Sequence, residues 1–309
     1  MLTITRNDLS KPKRLKKDSL VLFLMAIPLM LLVVAFSYVP LFGWSYAFFN
    51  YQPGIHLADT QFKGFDSFLK LLADRQVVPV LINTLAMAFL GILTSPLPVI
   101  LAILINEVRN KPFKRVFQTV STLPYFISWV IVFALSFSMF SSDGLVNSLL
   151  NFLHISDRPV NILGNLDLTW FFQLALQIWK GTGWGAIIYL AAIAGIDEEL
   201  YDAAKVDGAG RFRKILHITV PGVASTFLVL LLLSISNILS VGFDQFLVFY
   251  NGLVADKITV LDIYVYRLGL VINDYSYSTA VGILKTLVSI ILLFSVNGIS
   301  KRIRGESLV

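Results

Sequence analysis

The chain has 309 residues, of which 56% are hydrophobic and 14% charged, and its mean hydropathy is +0.76. That composition leaves too little polar surface to wrap a soluble globule of this size, so the bilayer must be its solvent. The net charge of +6 is explained by basic loops facing anionic lipid and requires no nucleic-acid partner, and the absence of cysteine excludes a disulfide framework and a thiolate metal site.

A helix needs about 20 apolar residues to cross a hydrocarbon core of about 30 Å. Six runs satisfy this, at Ser19–Tyr38, Val77–Ile105, Val116–Phe140, Leu168–Ala194, Val223–Phe243 and Ser278–Ile299, predicting an all-α membrane protein with six transmembrane helices. Residues 1–18 read as a basic cytoplasmic tail, 19–40 as the first transmembrane helix and 41–77 as an extracytoplasmic loop. Residues 78–298 read as one core of five helices, and 299–309 as a second basic cytoplasmic tail. The first run is longer than a signal-peptide core and lacks a small-x-small cleavage site before Tyr38-Val39-Pro40, so it reads as a retained helix. Pro79, Pro96 and Pro98 in the second run, and Gly181, Gly183 and Gly185 in the fourth, predict bends or local unwinding. With both termini inside, seventeen cations lie in cytoplasmic segments and six outside, Arg158 among the six. This asymmetry sets the orientation and puts the loop over residues 195–222 in the cytoplasm.

That loop is a polar segment between two long apolar stretches. Asp197 is a good N-cap, and Glu198 and Glu199 follow where the helix dipole favours negative charge. A short helix is predicted to run from there to Asp207-Gly208, where glycine adopts the left-handed C′ conformation. Ala203 and Ala204 leave one face bare for close approach by another protein, and Asp202 offers a carboxylate to a partner's Arg or loop amide. Arg211 to Thr219 leads back to the membrane, and Pro221 suits the first turn of the next helix.

This segment resembles the EAA loop of the permease subunits of binding-protein-dependent ABC importers, whose pattern is E-A-A, three residues, G, nine residues, I-x-L-P. Asp202, Ala203, Ala204, Gly208, Ile218 and Pro221 fall at those spacings, with Asp202 in place of Glu and Val220 in place of Leu. Glu199-Leu200-Tyr201 and Asp207-Gly208-Ala209 further resemble the carbohydrate-uptake branch. Asn106–Asn110, Leu123–Trp129, Trp179–Leu190, Gly242–Asp244, Tyr264–Arg267 and Tyr275–Tyr277 extend the likeness to oligosaccharide and polysaccharide permeases, the first of two unlike permease subunits. The resemblance implies the type I importer permease fold and a coupling helix contributed by Glu199, Tyr201, Asp202, Ala203, Ala204, Asp207, Gly208, Ala209, Arg211 and Pro221. It also implies a sister permease, two ATPase subunits holding ATP and Mg, an extracytoplasmic solute-binding protein and a carbohydrate substrate. The host would be a bacterium and the location its cytoplasmic membrane. Rival readings are a permease of the same type for a non-sugar solute, or an ATP-independent secondary transporter.

The chain shows no bond-breaking chemistry. It lacks a GxxxxGK[ST] phosphate cradle, an HExxH pair and a G-x-S-x-G elbow, and His56, His154 and His217 are scattered, so no catalytic residue, metal or cofactor is expected here. Polar residues within spans face a bundle interior or an aqueous path. On that ground Asn83, Gln173, Gln177, Lys180, Asn237 and Lys285 are candidates for a solute pathway, with interhelix hydrogen bonding as the alternative. The aromatics Trp179, Trp184 and Tyr189 share the run that holds Lys180. Lys285 is expected to reach Asp274 or water. Ile258, Leu261, Val265 and Leu268 recur at helical spacing and predict a helix lying against the outer mouth, either as a buried cap on the bundle or in contact with the solute-binding protein.

Overall fold

The computed structural model describes residues 17–155 and 159–304. The basic tail over residues 1–16, Arg158 and residues 305–309 lie outside the described residues. Among the described residues, extended pairing is limited to one bridge between Phe49 and Phe62. Helix α1 (Lys17–Val33) continues through a π-helical stretch (Val34–Tyr38) and a 3-10 stretch (Val39–Phe48). The short α2 (Asp66–Ala73) precedes α3 (Val77–Thr94) and α4 (Pro96–Glu107). Then come α5 (Lys111–Thr122), a 3-10 turn (Leu123–Phe126), α6 (Trp129–Phe140) and α7 (Leu145–Phe152). The long α8 (Thr169–Ala194) leads to α9 (Glu198–Val206), α10 (Arg211–Lys214), a π stretch (Ile215–Thr219) and α11 (Val220–Ser236). Three short helices, α12 (Phe243–Phe249), α13 (Ala255–Ile258) and α14 (Leu261–Tyr266), precede α15 (Tyr275–Arg304). Among the described residues, five stretches are long and apolar enough to cross a membrane: Ser19–Phe48, Val77–Glu107, Trp129–Phe152, Arg211–Ser236 and Tyr275–Gly298. Helix α8, 26 residues long, is the more polar segment outside those five.

Prolines decide where these helices break, because proline lacks an amide hydrogen and its ring collides with the carbonyl four residues back. The expected bend in the second run falls at Ser95-Pro96, between α3 and α4. The third run departs from the expectation of one helix over Val116–Phe140. Pro124 ends α5 in a 3-10 turn, and Ser128 restarts the chain as α6 by accepting a hydrogen bond from the Ile131 amide at 3.4 Å. Pro221 lies inside a helical run, and the π stretch just before it loosens the turn so that the helix passes through. The fifth span therefore begins at Arg211 instead of Val223 and stops at Ser236, which leaves Asn237 as its C-cap and not a mid-span residue. The first helical run likewise extends past Tyr38 to Phe48, and the last begins at Tyr275 and reaches Arg304.

The fourth run is not unwound: α8 is one continuous helix. Its glycines serve close approach. A Cβ on Gly183 would lie 1.8 Å from the Ser121 carbonyl oxygen, and one on Gly185 would lie 3.1 Å from Pro98. Small residues of this kind let membrane helices touch backbone to backbone. Ala102, Ala186, Tyr189, Ile193 and Val223 bury the seam that α8 makes with α4 and α11. At the end of α8 remote from α9, the Trp170 indole donates to the Lys257 carbonyl at 3.0 Å. There Phe246, Phe249, Ile258, Val260 and Ile263 close the bundle over Met87 and Val132. The predicted surface helix is thus a buried cap, with Ile258 in a separate turn from Leu261 and Leu268.

Replacing Gly183 by Val should force α5 away from α8, an overpacking that costs about 1–3 kcal/mol or more. The yield of monodisperse detergent-solubilised protein should fall several-fold, whereas Gly181→Ala, where no atom lies within 4 Å, should leave it unchanged.

Candidate functional site: a capped loop helix and a polar stripe

The α9 segment is built as its sequence predicts. Asp197 Oδ1 accepts the Glu199 amide at 2.9 Å, and Glu198 and Glu199 occupy the first turn. The helix closes through the Asp207 amide on the Ala203 carbonyl at 3.0 Å and the Ala209 amide on the Ala204 carbonyl at 2.8 Å, with Gly208 left-handed at φ +72°. Two contacts fasten it to the membrane helices. The Tyr201 hydroxyl lies 2.9 Å from Thr219 Oγ1. Arg211 donates from Nε to the Glu107 carboxylate at 2.7 Å and from Nη2 to the Glu107 carbonyl at 3.0 Å, joining the C-terminus of α4 to the start of α10. Asp202 is engaged within its own helix, by Lys205 Nζ at 2.7 Å. That hydrogen bond holds Asp202 below the usual carboxylate range and Lys205 above its ordinary value. Ala203 is exposed and Ala204 half-buried, while Pro221 sits on the continuing helix beyond the loop. Around them Leu200 is 53% exposed, Val206 89% and Phe212 88%.

The second feature is a stripe along α8. At 100° per residue, Gln173, Gln177, Lys180 and Trp184 fall within an arc of about 60° and span about 16 Å of helix. Gln173 is buried, its side-chain oxygen accepting from Gln245 Nε2 at 2.7 Å. Gln177 and Asn237 both line a cavity of about 520 Å³ between α3, α8 and α11, together with Gly91, Ser234 and Ser240. Lys180 Nζ donates to the carbonyls of Tyr125 at 2.5 Å and Pro124 at 3.3 Å, the groups released where α5 ends. Its ammonium also lies 5.3 Å from the Tyr125 ring and 5.4 Å from that of Trp129. The Trp184 ring stacks on Tyr125 at 4.5 Å and meets Phe126 edge-on at 5.7 Å. The result is a polar, aromatic-lined track on one side of the bundle.

A family model described as binding-protein-dependent transport system inner membrane component matches residues 94–305, which include both features. The chain belongs to that family. Among relatives of this permease, Protein LplB of Bacillus subtilis is 41% identical over 298 residues, covering 95% of this chain and 92% of that protein. The polygalacturonan/rhamnogalacturonan transport system permease protein YteP of the same organism is 39% identical over 291 residues, covering 93% and 89%. A permease chain in the crystal structure of a bacterial ABC transporter that imports the acidic polysaccharide alginate superposes with a TM-score of 0.84 at 35% identity, covering 93% of this chain and 97% of that one. The fold is therefore that of an ABC importer permease, and the chain is a transport subunit of the membrane, not an enzyme.

The remaining sequence candidates in this permease sit away from the stripe. Asn83 is buried and donates to the carbonyls of Asp256 and Thr259 at 2.8 and 3.1 Å, pinning α13 to α3. Tyr189 is buried in the α4–α8–α11 seam, and Trp179 points roughly opposite the stripe by helical phase. Lys285 pairs with Asp262, both largely buried, and not with Asp274, which is taken by Lys70 at 2.6 Å.

A cluster around Asp74, just before α3, has no signature in the sequence. Its carboxylate accepts from the Tyr264 hydroxyl, from the Tyr277 hydroxyl at 2.7 Å and from the Gln76 amide at 2.9 Å, while Lys70 lies 4.4 Å over the Tyr277 ring. Burial alone would raise the Asp74 pKa, but these hydrogen bonds and the Lys70 charge outweigh it and hold the group below its ordinary value. Burial and the Asp74 bond push Tyr264 up to about 12. A depressed carboxylate pKa gives stability that is present above the unfolded value and lost as pH falls through the folded one. Asp74→Asn should accordingly lower the thermal stability of the purified protein at pH 7, by about 1.5–3 kcal/mol for hydrogen bonds to a charged acceptor. The difference from the parent should shrink as the melt is repeated at pH values falling below the ordinary carboxylate range.

Proposed function

We propose that this permease is one half of the transmembrane path of an ATP-driven importer that takes up an oligosaccharide or related carbohydrate handed over by an extracytoplasmic binding protein. It crosses the membrane six times, with α8 as the additional span: 26 residues of helix reach about 39 Å. Packing between α4, α5 and α11 shields the polar side chains of α8 from lipid. Both termini lie in the cytoplasm, as the cation asymmetry requires, and α9 is the coupling helix. Its partners are a sister permease, which completes the path, and two ATPase subunits, which bind ATP and Mg. This chain itself holds no cofactor. A carbohydrate is favoured by the aromatic and amide lining of the stripe, since aromatic faces stack on sugar rings and amides bond hydroxyls. It is also the cargo class named for YteP and for the alginate importer, each similar over 93% of this chain.

The observation that carries this reading is the capped helix α9 with the short α10 after it, which together expose Leu200, Val206 and Phe212 while tied by Tyr201–Thr219 and Arg211–Glu107 to the segments leading into α11 and out of α4. ATP-driven closure of the motor pair would shift α9, and packed helices would carry the shift as a rigid-body movement. An ATP-independent transporter has no use for such a surface.

Gly208→Val, which forces a β-branched residue into the left-handed region, and Asp202→Arg, which breaks the Lys205 pair, should each lower ATP-dependent uptake at least tenfold. The amount of protein extracted from the membrane should stay the same, as read by immunoblot and size exclusion. Normal uptake by both variants would remove α9 from the coupling route.

A further inference from the structure

We infer that the stripe on α8 carries a recognition site for a carboxylated sugar, with Lys180 as its cationic member and the Tyr125–Trp184 stack as its ring platform. The inference rests on the proposed import function and adds the charge of the cargo.

The argument begins with an unbalanced charge. Lys180 lies about midway along α8, 11 residues after Thr169 and 14 before Ala194, and an ammonium at the middle of a membrane helix is costly unless an anion or strong acceptors compensate. Among the described residues, no carboxylate lies within ion-pair distance of it. Lys285, the other intramembrane lysine, does have a carboxylate partner, Asp262. The two carbonyls that Lys180 binds need hydrogen-bond donors, and a neutral amide side chain would supply those. What an amide could not supply is the positive charge. An ammonium has three N–H donors, and Pro124 and Tyr125 occupy two, so one donor and the full charge remain for a ligand.

The surroundings fit a sugar acid. Trp184 is 40% exposed, Tyr125 42% and Phe126 71%, a partly open aromatic surface beside the cation and held parallel at 5° between the Tyr125 and Trp184 planes. One turn along the stripe, Gln177 borders the cavity that also holds Asn237 and Ser234, and no acidic side chain lines it. A pyranose ring on the platform would direct a carboxylate to Lys180 and its hydroxyls to the amides. A neutral sugar would satisfy the rings and amides but leave the ammonium without a counter-charge. In a site with low polarity, that difference weighs more than it would in water.

The test uses the whole importer, reconstituted in proteoliposomes with its sister permease, ATPase pair and binding protein. The probes are a galacturonate trisaccharide and its carboxyl-reduced, neutral counterpart. The parent should take up the acidic probe in preference to the neutral one. Lys180→Gln, which keeps donors for the two carbonyls, should lower the uptake of the acidic probe at least tenfold more than that of the neutral probe, chiefly through KM. Lys180→Arg should retain most of the preference. Equal loss for both probes in Lys180→Gln, or unchanged acidic uptake, would overturn the inference and leave Lys180 as a clamp on the α5–α6 break. Loss of assembly with the sister permease in Lys180→Gln, reversed by a charge change on that subunit, would overturn it by showing that the counter-charge is protein. Preference of the parent for the neutral probe would overturn it without touching the importer reading, whereas failure of the parent to move any solute on ATP addition would overturn both.

Discussion

A helix that breaks inside a bilayer has to hand its freed carbonyls to a new donor, because no water is there to take them. In this permease that transfer is made at the end of α5, where Pro124 stops the helix and the Lys180 ammonium receives the carbonyls of Pro124 and Tyr125. The contact requires α8 to lie against α5 at that level. It does so through Gly183, with no side chain between it and the Ser121 backbone. Proline, lysine and glycine are therefore one device: the first opens the third segment, the second satisfies it, and the third lets the two helices come close enough.

The consequence reaches the stripe. With α5 stopped and α6 restarted by Ser128, the intervening turn carries Tyr125 and Phe126 sideways onto Trp184. An unbroken helix would point those rings along one of its own faces and would offer Lys180 no carbonyls. Helix α8 ends at its C-cap Gly195 and α9 begins three residues later, so the polar stripe and the exposed Leu200 and Val206 lie on consecutive helices joined by a short turn.

Much of this was legible in the residue order. The α9 helix could be read completely, from the Asp197 cap to the Gly208 exit, because caps act locally and the spacing of Asp202, Ala203, Ala204 and Gly208 is itself the motif. Most helical runs were legible from apolarity alone. The boundaries that failed share one cause: apolar continuity hides a break. Val116–Phe140 carries apolar residues on both sides of Pro124 and so reads as one span, and the π stretch before Pro221 lets a helix begin at Arg211 where a segment returning to the membrane was expected. The three glycines of α8 suggested unwinding because a sequence does not show which residue stands opposite. Asp74, Tyr264 and Tyr277 are far apart in the chain and follow no spacing rule, so their shared hydrogen bonds emerge only when α3, α14 and α15 are placed together. Lys285 failed for the same reason, since its partner Asp262 belongs to a neighbouring helix.

In the proposed cycle, the placement of these contacts decides which parts move together. Arg211 joins α10 to the end of α4 through two bonds to Glu107, and Tyr201 joins α9 to the π stretch before α11. The seam of Ala102, Ala186, Tyr189, Ile193 and Val223 then packs α4, α8 and α11 as one block. Packed interiors switch between discrete arrangements and do not deform smoothly, so a push on α9 would displace this block as a unit. Helix α5 meets the block through backbone contact at Gly183 and the Lys180 bonds, and α6 packs instead with α12 through Phe133 and Phe249. The turn at Leu123–Phe126 would thus be the joint between the half of the bundle that α5 joins through α8 and the half that α6 joins through α12. Because Tyr125 and Phe126 lie on that joint while Lys180 and Trp184 lie on the block, relative movement of the two halves would open or close the aromatic platform itself. Coupling and cargo handling would then meet at one turn of the chain.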